Sequence, residues 1–302
     1  MRRSYAPPGD RLSLEADDRR LHDLASRLWD PADEGPGAIE FRIESFDGAP
    51  PDEEAERAVT WSRVPQGFRV AAPGLVDLLV DLGAAHVSGR VSTGLVSKAP
   101  DLAARSVLEA PAAVLLGERG WQILHAGAAV GGRGAVVLRG PAGAGKSTLV
   151  AALRAAGLSV LADEGLFVSR DDPERLAASV RDLTLLPESL SLLRSDTPTR
   201  FAFSGGEVKR RIDLSSESGP RFREARLAAA VLLGRRDRAG VRLVPLSPGE
   251  FEEAFRAGEI SRERETGDAG FIARAWGARG GYRLDGARDL AGAVSILEAI
   301  VR

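Results

Sequence analysis

The sequence predicts an α/β fold built in two parts. Three observations carry that expectation. The chain has 302 residues, longer than one hydrophobic core usually grows. Its character changes near Trp121. Beyond that point an apolar strand, a glycine-rich loop and a helix-forming run follow one another directly. The boundary separates a smaller α+β module, residues 1–118, from a larger α/β domain, residues 119–302.

In the first module, residues 1–12 carry two prolines and no apolar period, so a loose start is expected. Leu21, Leu24 and Leu28 recur at helical spacing and predict a short amphipathic helix. Pro31 to Gly37 reads as a linker. Ile39, Phe41, Ile43 and Phe46 come close to period two, a strand signal. Val59 to Val64 and Phe68 to Ala72 predict a hairpin around Pro65-Gln66-Gly67. A helix is expected over Leu75 to Leu82, and another over Leu102 to Leu116, kinked or split by Pro111. Nothing in this module carries a chemical motif.

The second domain opens on a largely apolar run, Gln122 to Val130. A turn at Gly131 to Gly134 and a buried strand at Ala135 to Leu138 come next. Lys146 to Ala156 has helix-forming composition and stops at Gly157, and Val160 to Ala162 starts another strand. Strand-like runs recur at Phe201 to Phe203, Val208 to Leu214, Leu227 to Leu233 and Val241 to Pro245. Ser247-Pro248-Gly249-Glu250 forms a capping box that opens a helix through Phe255. Leu290, Val294, Leu297 and Val301 mark a C-terminal amphipathic helix.

Composition narrows the chemistry. The chain has no cysteine, which excludes disulfides, thiolate metal sites and cysteine nucleophiles. A net charge of −2 offers no field to hold a polyanion, so no nucleic-acid partner is expected. There is no apolar leader and no run approaching the ~20 residues of a membrane span. A cytoplasmic protein with no membrane partner is the expectation. Among the basic residues only Lys98, Lys146 and Lys209 are lysine, so each stands out.

Gly140-Pro141-Ala142-Gly143-Ala144-Gly145-Lys146-Ser147 fits G-x-x-x-x-G-K-[ST] at every defined position. Glycines free the backbone to bring N–H groups against phosphate oxygens, and the helix beginning at Lys146 turns its positive end to the same anion. Lys146 would bridge β- and γ-phosphate oxygens of ATP, Ser147 would bind Mg²⁺, and Thr148 would reach the α-phosphate. The bland alternative is a glycine-rich turn between strand and helix.

Asp163-Glu164 ends the strand after that helix. A right-handed β-α-β unit puts both strand ends on one sheet edge, so Asp163 and Glu164 are expected beside the phosphates. One would hold Mg²⁺ and the other would take a proton; a surface turn pair is the alternative. His125, in an apolar strand, reads from its own context as a hydrogen-bonded core residue. His22 and His86 have no supporting context. Lys209-Arg210-Arg211 would clamp phosphate or acceptor, or else form a solvated strand end.

A His-Ala pair on a strand, a hairpin, a phosphate loop, one helix and then an acidic pair together resemble the HPr kinase/phosphorylase family. His125 precedes Ser147 by 22 residues and Asp163 follows it by 16, which is the family spacing. The resemblance spans residues 120–260. It implies a P-loop kinase domain related to phosphoenolpyruvate carboxykinase and phosphoryl transfer to a serine hydroxyl. By position Asp163 matches the general base, Glu164 the second acid near magnesium, and His125 the histidine near the phosphates. The sequence departs from the family twice: the second acid is usually aspartate, and the glycine-rich signature of the bifunctional enzymes is absent downstream. Those departures leave open whether HPr is the substrate and whether the reverse phosphorylase reaction occurs.

The resulting expectation is an ATP- and Mg²⁺-dependent kinase acting on a Ser/Thr hydroxyl of a protein or peptide. A small-molecule kinase on the same scaffold, or a nucleotide-dependent switch, are its rivals. The resemblance also admits a homo-oligomer.

Overall fold

Among the described residues of 1–119, strands form where apolar side chains alternate, in two places against expectation. The chain is described from a computed structural model covering residues 1–7, 10–33, 37–48, 50–51, 58–178, 182–192, 199–204, 207–214, 224–235, 240–260, 263 and 267–302. For residues 191, 192, 199–204, 207–209 and 213 only the backbone is described. It is a mixed α/β structure that divides into two units, Met1–Arg119 and Gly120–Arg302.

The first unit holds an eight-stranded sheet. Its strands are β1 (Arg2–Ala6), β2 (Leu12–Ala16), β3 (Asp30–Pro31), β4 (Ile39–Phe46), β5 (Thr60–Val64), β6 (Gly67–Ala72), β7 (Val76–Asp81) and β8 (His86–Ser92). They lie in the order β3-β1-β2-β4-β8-β7-β6-β5. The loose start is corrected: residues 2–6 and 12–16 pair antiparallel, and Tyr5, Leu12 and Leu14 are buried. The helix expected at Leu75 to Leu82 is a strand. Val76, Leu78 and Val80 face the core while Asp77 and Asp81 do not, a period of two that helical spacing cannot bury.

Helix α1 (Arg19–Leu28) packs Leu21, Leu24 and Ala25 inward and is capped by Asp18. Three segments follow β8: α2 (Thr93–Lys98), α3 (Pro100–Ala103) and, after a π-helical stretch at Ala104–Glu109, α4 (Ala110–Glu118). Pro111 sits in the first turn of α4, where its missing N–H costs least. The π turn takes up the break in the ladder just before it.

The second unit is a sheet between two helical layers. Its main path runs β12 (Ser159–Ala162), β10 (Gly127–Gly131), β11 (Gly134–Arg139), β18 (Glu224–Leu233), β14 (Arg175–Ala177), β13 (Leu166–Ser169) and β9 (Trp121–Leu124). β19 (Arg242–Leu246) and β20 (Gly281–Asp285) extend it beside β18. A three-stranded sheet joins β15 (Asp182–Leu185), β17 (Glu207–Asp213) and β16 (Thr199–Ser204).

Alternation along β11 feeds both layers. Val136 and Leu138 meet Leu149, Val150 and Leu153 of α5 (Lys146–Ala155) and Leu297 and Val301 of α8 (Leu290–Val301). Ala135 and Val137 belong with Phe251 and Phe255 of α6 (Pro248–Ala257) and Ile272 and Trp276 of α7 (Ala269–Gly280). The indole N–H of Trp276 donates to the Pro173 carbonyl at 2.7 Å, which satisfies its one polar atom. Helix α6 opens with the capping box expected from Ser247 and Glu250. Among the described residues, no helix is long and apolar enough to cross a membrane.

Candidate functional site

The loop Gly140 to Gly145 leaves the carboxyl end of β11 and runs into α5. Gly143 and Gly145 have φ of 76° and 93°, in the left-handed region. Open space surrounds the position a Cβ would occupy at either, so backbone conformation and not crowding calls for glycine there. Gly145 precedes the first helical residue and has no side chain to cap it. The N–H groups of Lys146, Ser147 and Thr148 have no carbonyl a turn earlier within the helix. They form a donor set that suits a phosphate, together with the helix dipole.

Lys146 is buried, and its Nζ donates to the carbonyls of Gly140 at 2.8 Å and Pro141 at 3.1 Å. Burial, and then the charge of Arg139, pull its pKa below the ordinary lysine value; Asp163, Glu164 and Glu263 oppose them. A desolvated ammonium whose present partners are two neutral carbonyls gains most from an anion. The loop therefore fits a polyphosphate on its own geometry. Thr148 Oγ1 lies 2.9 Å from the hydroxyl of buried Ser189, in the 3₁₀ turn Pro187–Leu192.

Sheet register brings the other residues to this edge. β10 runs antiparallel to both β11 and β12, so β11 and β12 point the same way and end on the same side. At that side two chain segments change partners together. Leu124 pairs with Leu166 and Ala128 with Ala162, which sets His125 to Gly127 across from Asp163 to Gly165. The single strand expected over Gln122 to Val130 is thus two strands, broken at His125-Ala126. Gly127 lets β10 lie on α5, since a Cβ there would meet Val150 Cγ2 at 2.8 Å.

Asp163 is buried and accepts the Thr184 N–H at 2.8 Å through Oδ2. Glu164 is exposed, and its backbone carbonyl lies 3.3 Å from His125 Nδ1. The two acids thus differ in exposure: one is held within the edge and the other faces water. Burial and then Lys146 push the His125 imidazole below its ordinary pKa, against Glu164 and Glu263. Among the described residues no group of three or more His, Asp or Glu could hold a metal by itself. Mg²⁺ needs no such cage, because it commonly takes one or two side-chain oxygens plus phosphate and water.

β17 places Arg210 across from Leu185 and Arg211 across from Thr184, the residue whose N–H holds Asp163. Arg211 pairs with Asp182 at 3.5 Å. The side chain of Lys209 and the Gly205-Gly206 turn lie outside the described residues.

Two residues that the sequence reading passed over stand behind the loop. Arg139 and Glu263 form a bidentate ion pair at 2.5 and 2.7 Å, with side chains 2% and 0% exposed. Glu263 also accepts the His125 N–H at 2.5 Å. An arginine closing the apolar strand Ala135 to Leu138, one residue before Gly140, was a legible signal. Glu263 sits in a stretch of mixed charges and gave none.

No protein-family model matches the chain, and no curated protein does. Among solved structures, the HPr(Ser) kinase/phosphatase from Coxiella burnetii matches with 17% identity over 39% of this chain and 69% of that chain, at a TM-score of 0.26.

Proposed function

We propose that the chain is an ATP- and Mg²⁺-dependent phosphotransferase that moves the γ-phosphoryl group to a Ser/Thr hydroxyl of a protein or peptide. One observation supports this above the rest. The buried carboxylate of Asp163 lies on the sheet edge that carries an uncapped, glycine-shaped loop and a desolvated lysine.

The loop N–H groups and Lys146 would hold the phosphates, with Lys146 exchanging two carbonyl partners for anionic oxygens. Ser147, with Asp163 or Glu164, would hold the metal. Bound Mg²⁺-ATP supplies the transferable phosphoryl group and its charge neutralisation. The residues of the chain orient and move a proton. Asp163, kept in place by the Thr184 N–H, accepts the proton of the attacking hydroxyl.

The test is incubation with γ-labelled ATP and Mg²⁺, with and without extract of the source organism, against Lys146→Ala. A labelled protein or peptide that needs the lysine is the expected outcome. A labelled metabolite would reassign the acceptor to a small molecule. Lysine-dependent free phosphate with no labelled acceptor would replace the transferase by a nucleotide switch.

A further inference from the structure

Arg139 and Glu263 are charged, wholly enclosed and close to the loop. A buried ion pair is commonly no more stabilising than apolar side chains of the same volume. Its contacts show what else it does. Glu263 Oε1 accepts from both Arg139 Nη1 and the His125 N–H, each at 2.5 Å, and Oε2 accepts from Arg139 Nη2 and from the Ile260 N–H at 3.1 Å. Arg139 is anchored in turn by the Phe255 carbonyl at 3.3 Å and by the Phe255 ring, 4.0 Å from its guanidinium carbon. One carboxylate therefore ties the last residue before the loop to the residue facing the acidic pair.

The ring of His125 then has a defined sense. Its Nδ1 lies 3.3 Å from the Glu164 carbonyl, and a carbonyl only accepts. In the neutral ring Nδ1 carries the hydrogen, which leaves Nε2 with the lone pair.

Building on the phosphotransferase reading, we propose that the Arg139–Glu263 pair is a positioning device that fixes His125 with Nδ1 donating to the Glu164 carbonyl and Nε2 kept as an acceptor. His125 thereby serves the site as a hydrogen-bond acceptor for a hydroxyl or water.

Nitrogen-15 NMR of the uniformly labelled full chain reads the tautomer directly above about pH 8, where imidazoles are neutral. The chain has three histidines, so the signals separate, and His22 is a built-in contrast. Its Nε2 lies 3.2 Å from the Met1 carbonyl, which makes it the opposite tautomer. The expected result is Nδ1–H at His125 and Nε2–H at His22. The double variant Arg139→Met/Glu263→Met removes both charges without stranding either. In it, His125 is expected to lose its tautomer preference while His22 keeps its own. Phosphoryl transfer is expected to fall at least ~tenfold in kcat, with KM for ATP within about threefold.

An Nε2–H tautomer at His125 in the wild-type chain overturns the proposal whatever the variant does. A folded double variant with an unchanged tautomer shows the pair to be packing alone. A changed tautomer with unchanged kcat removes its service to the reaction. If the wild-type chain transfers no phosphate, the phosphotransferase reading fails, while the tautomer and its response to the double variant still decide the positioning role.

Discussion

Lys146 and Asp163 share a physical situation: each is a charge-bearing side chain enclosed at the carboxyl edge of the sheet, held by backbone groups. Under the proposed phosphotransferase function, that arrangement separates binding from chemistry. Asp163→Asn preserves the shape, and its amide oxygen still accepts the Thr184 N–H, so nucleotide affinity is expected to stay within about threefold. Transfer should fall by roughly two to four orders of magnitude, the usual worth of a general base. Calorimetric ATP titration beside a steady-state assay checks both halves, and unchanged turnover would remove Asp163 from the reaction.

His22 permits a prediction about pH in the first unit. It is fully buried between the Tyr5 hydroxyl, 3.1 Å from Nδ1, and the Met1 carbonyl. Burial lowers its pKa below the unfolded value of 6.5. The unfolded chain then binds a proton more readily than the folded one, so stability is full above pH 6.5 and declines as pH falls through the folded pKa. Thermal melts between pH 7 and about pH 5 should show wild type losing Tm more steeply than His22→Gln. Parallel slopes would show that His22 titrates alike in both states.

At the scale of elements, the start of α5 depends on a backbone conformation that only glycine takes cheaply. Gly145 has φ 93° and open space around it, so Gly145→Ala meets no clash, only the left-handed penalty of about 1–2 kcal/mol. Denaturant melts should register a loss of that size. The N–H groups proposed to bind phosphate shift with the backbone, so ATP affinity should fall more than stability alone explains. Equal affinity in the variant would mean that the loop does not engage phosphate through these N–H groups.

At the scale of the molecule, the two units carry separate sheets. Such a chain need not unfold in one step. Scanning calorimetry is expected to resolve two transitions, with Mg²⁺-ATP raising only one of them, by mass action on the folded second unit. Lys146→Ala should abolish that rise while leaving both transitions in place. A single transition, or a rise in both, would mean that the units are energetically coupled.

The strand, glycine loop and helix around residues 134–155 were legible because their requirements are local: positive φ at fixed positions, a strand before and a helix after. The capping box at Ser247 and the apolar stripe of α8 were legible for the same reason. Misreadings came where two periods compete. Val76 to Val80 is short enough to pass for a helix until cross-strand partners select the period of two. Residues 2–6 became a strand only because β2 and β3 lie on either side of it. His125 was ambiguous alone, because a histidine in an apolar strand is usually core; register sets it against the Glu164 carbonyl. Arg139 and Glu263 are 124 residues apart, and no spacing rule joins them. The sequence by itself determined the loop and its helix, since those follow from neighbours in the chain. Only the tertiary structure decided which distant charges are buried together behind the loop, because desolvation and pairing depend on what surrounds a residue in space.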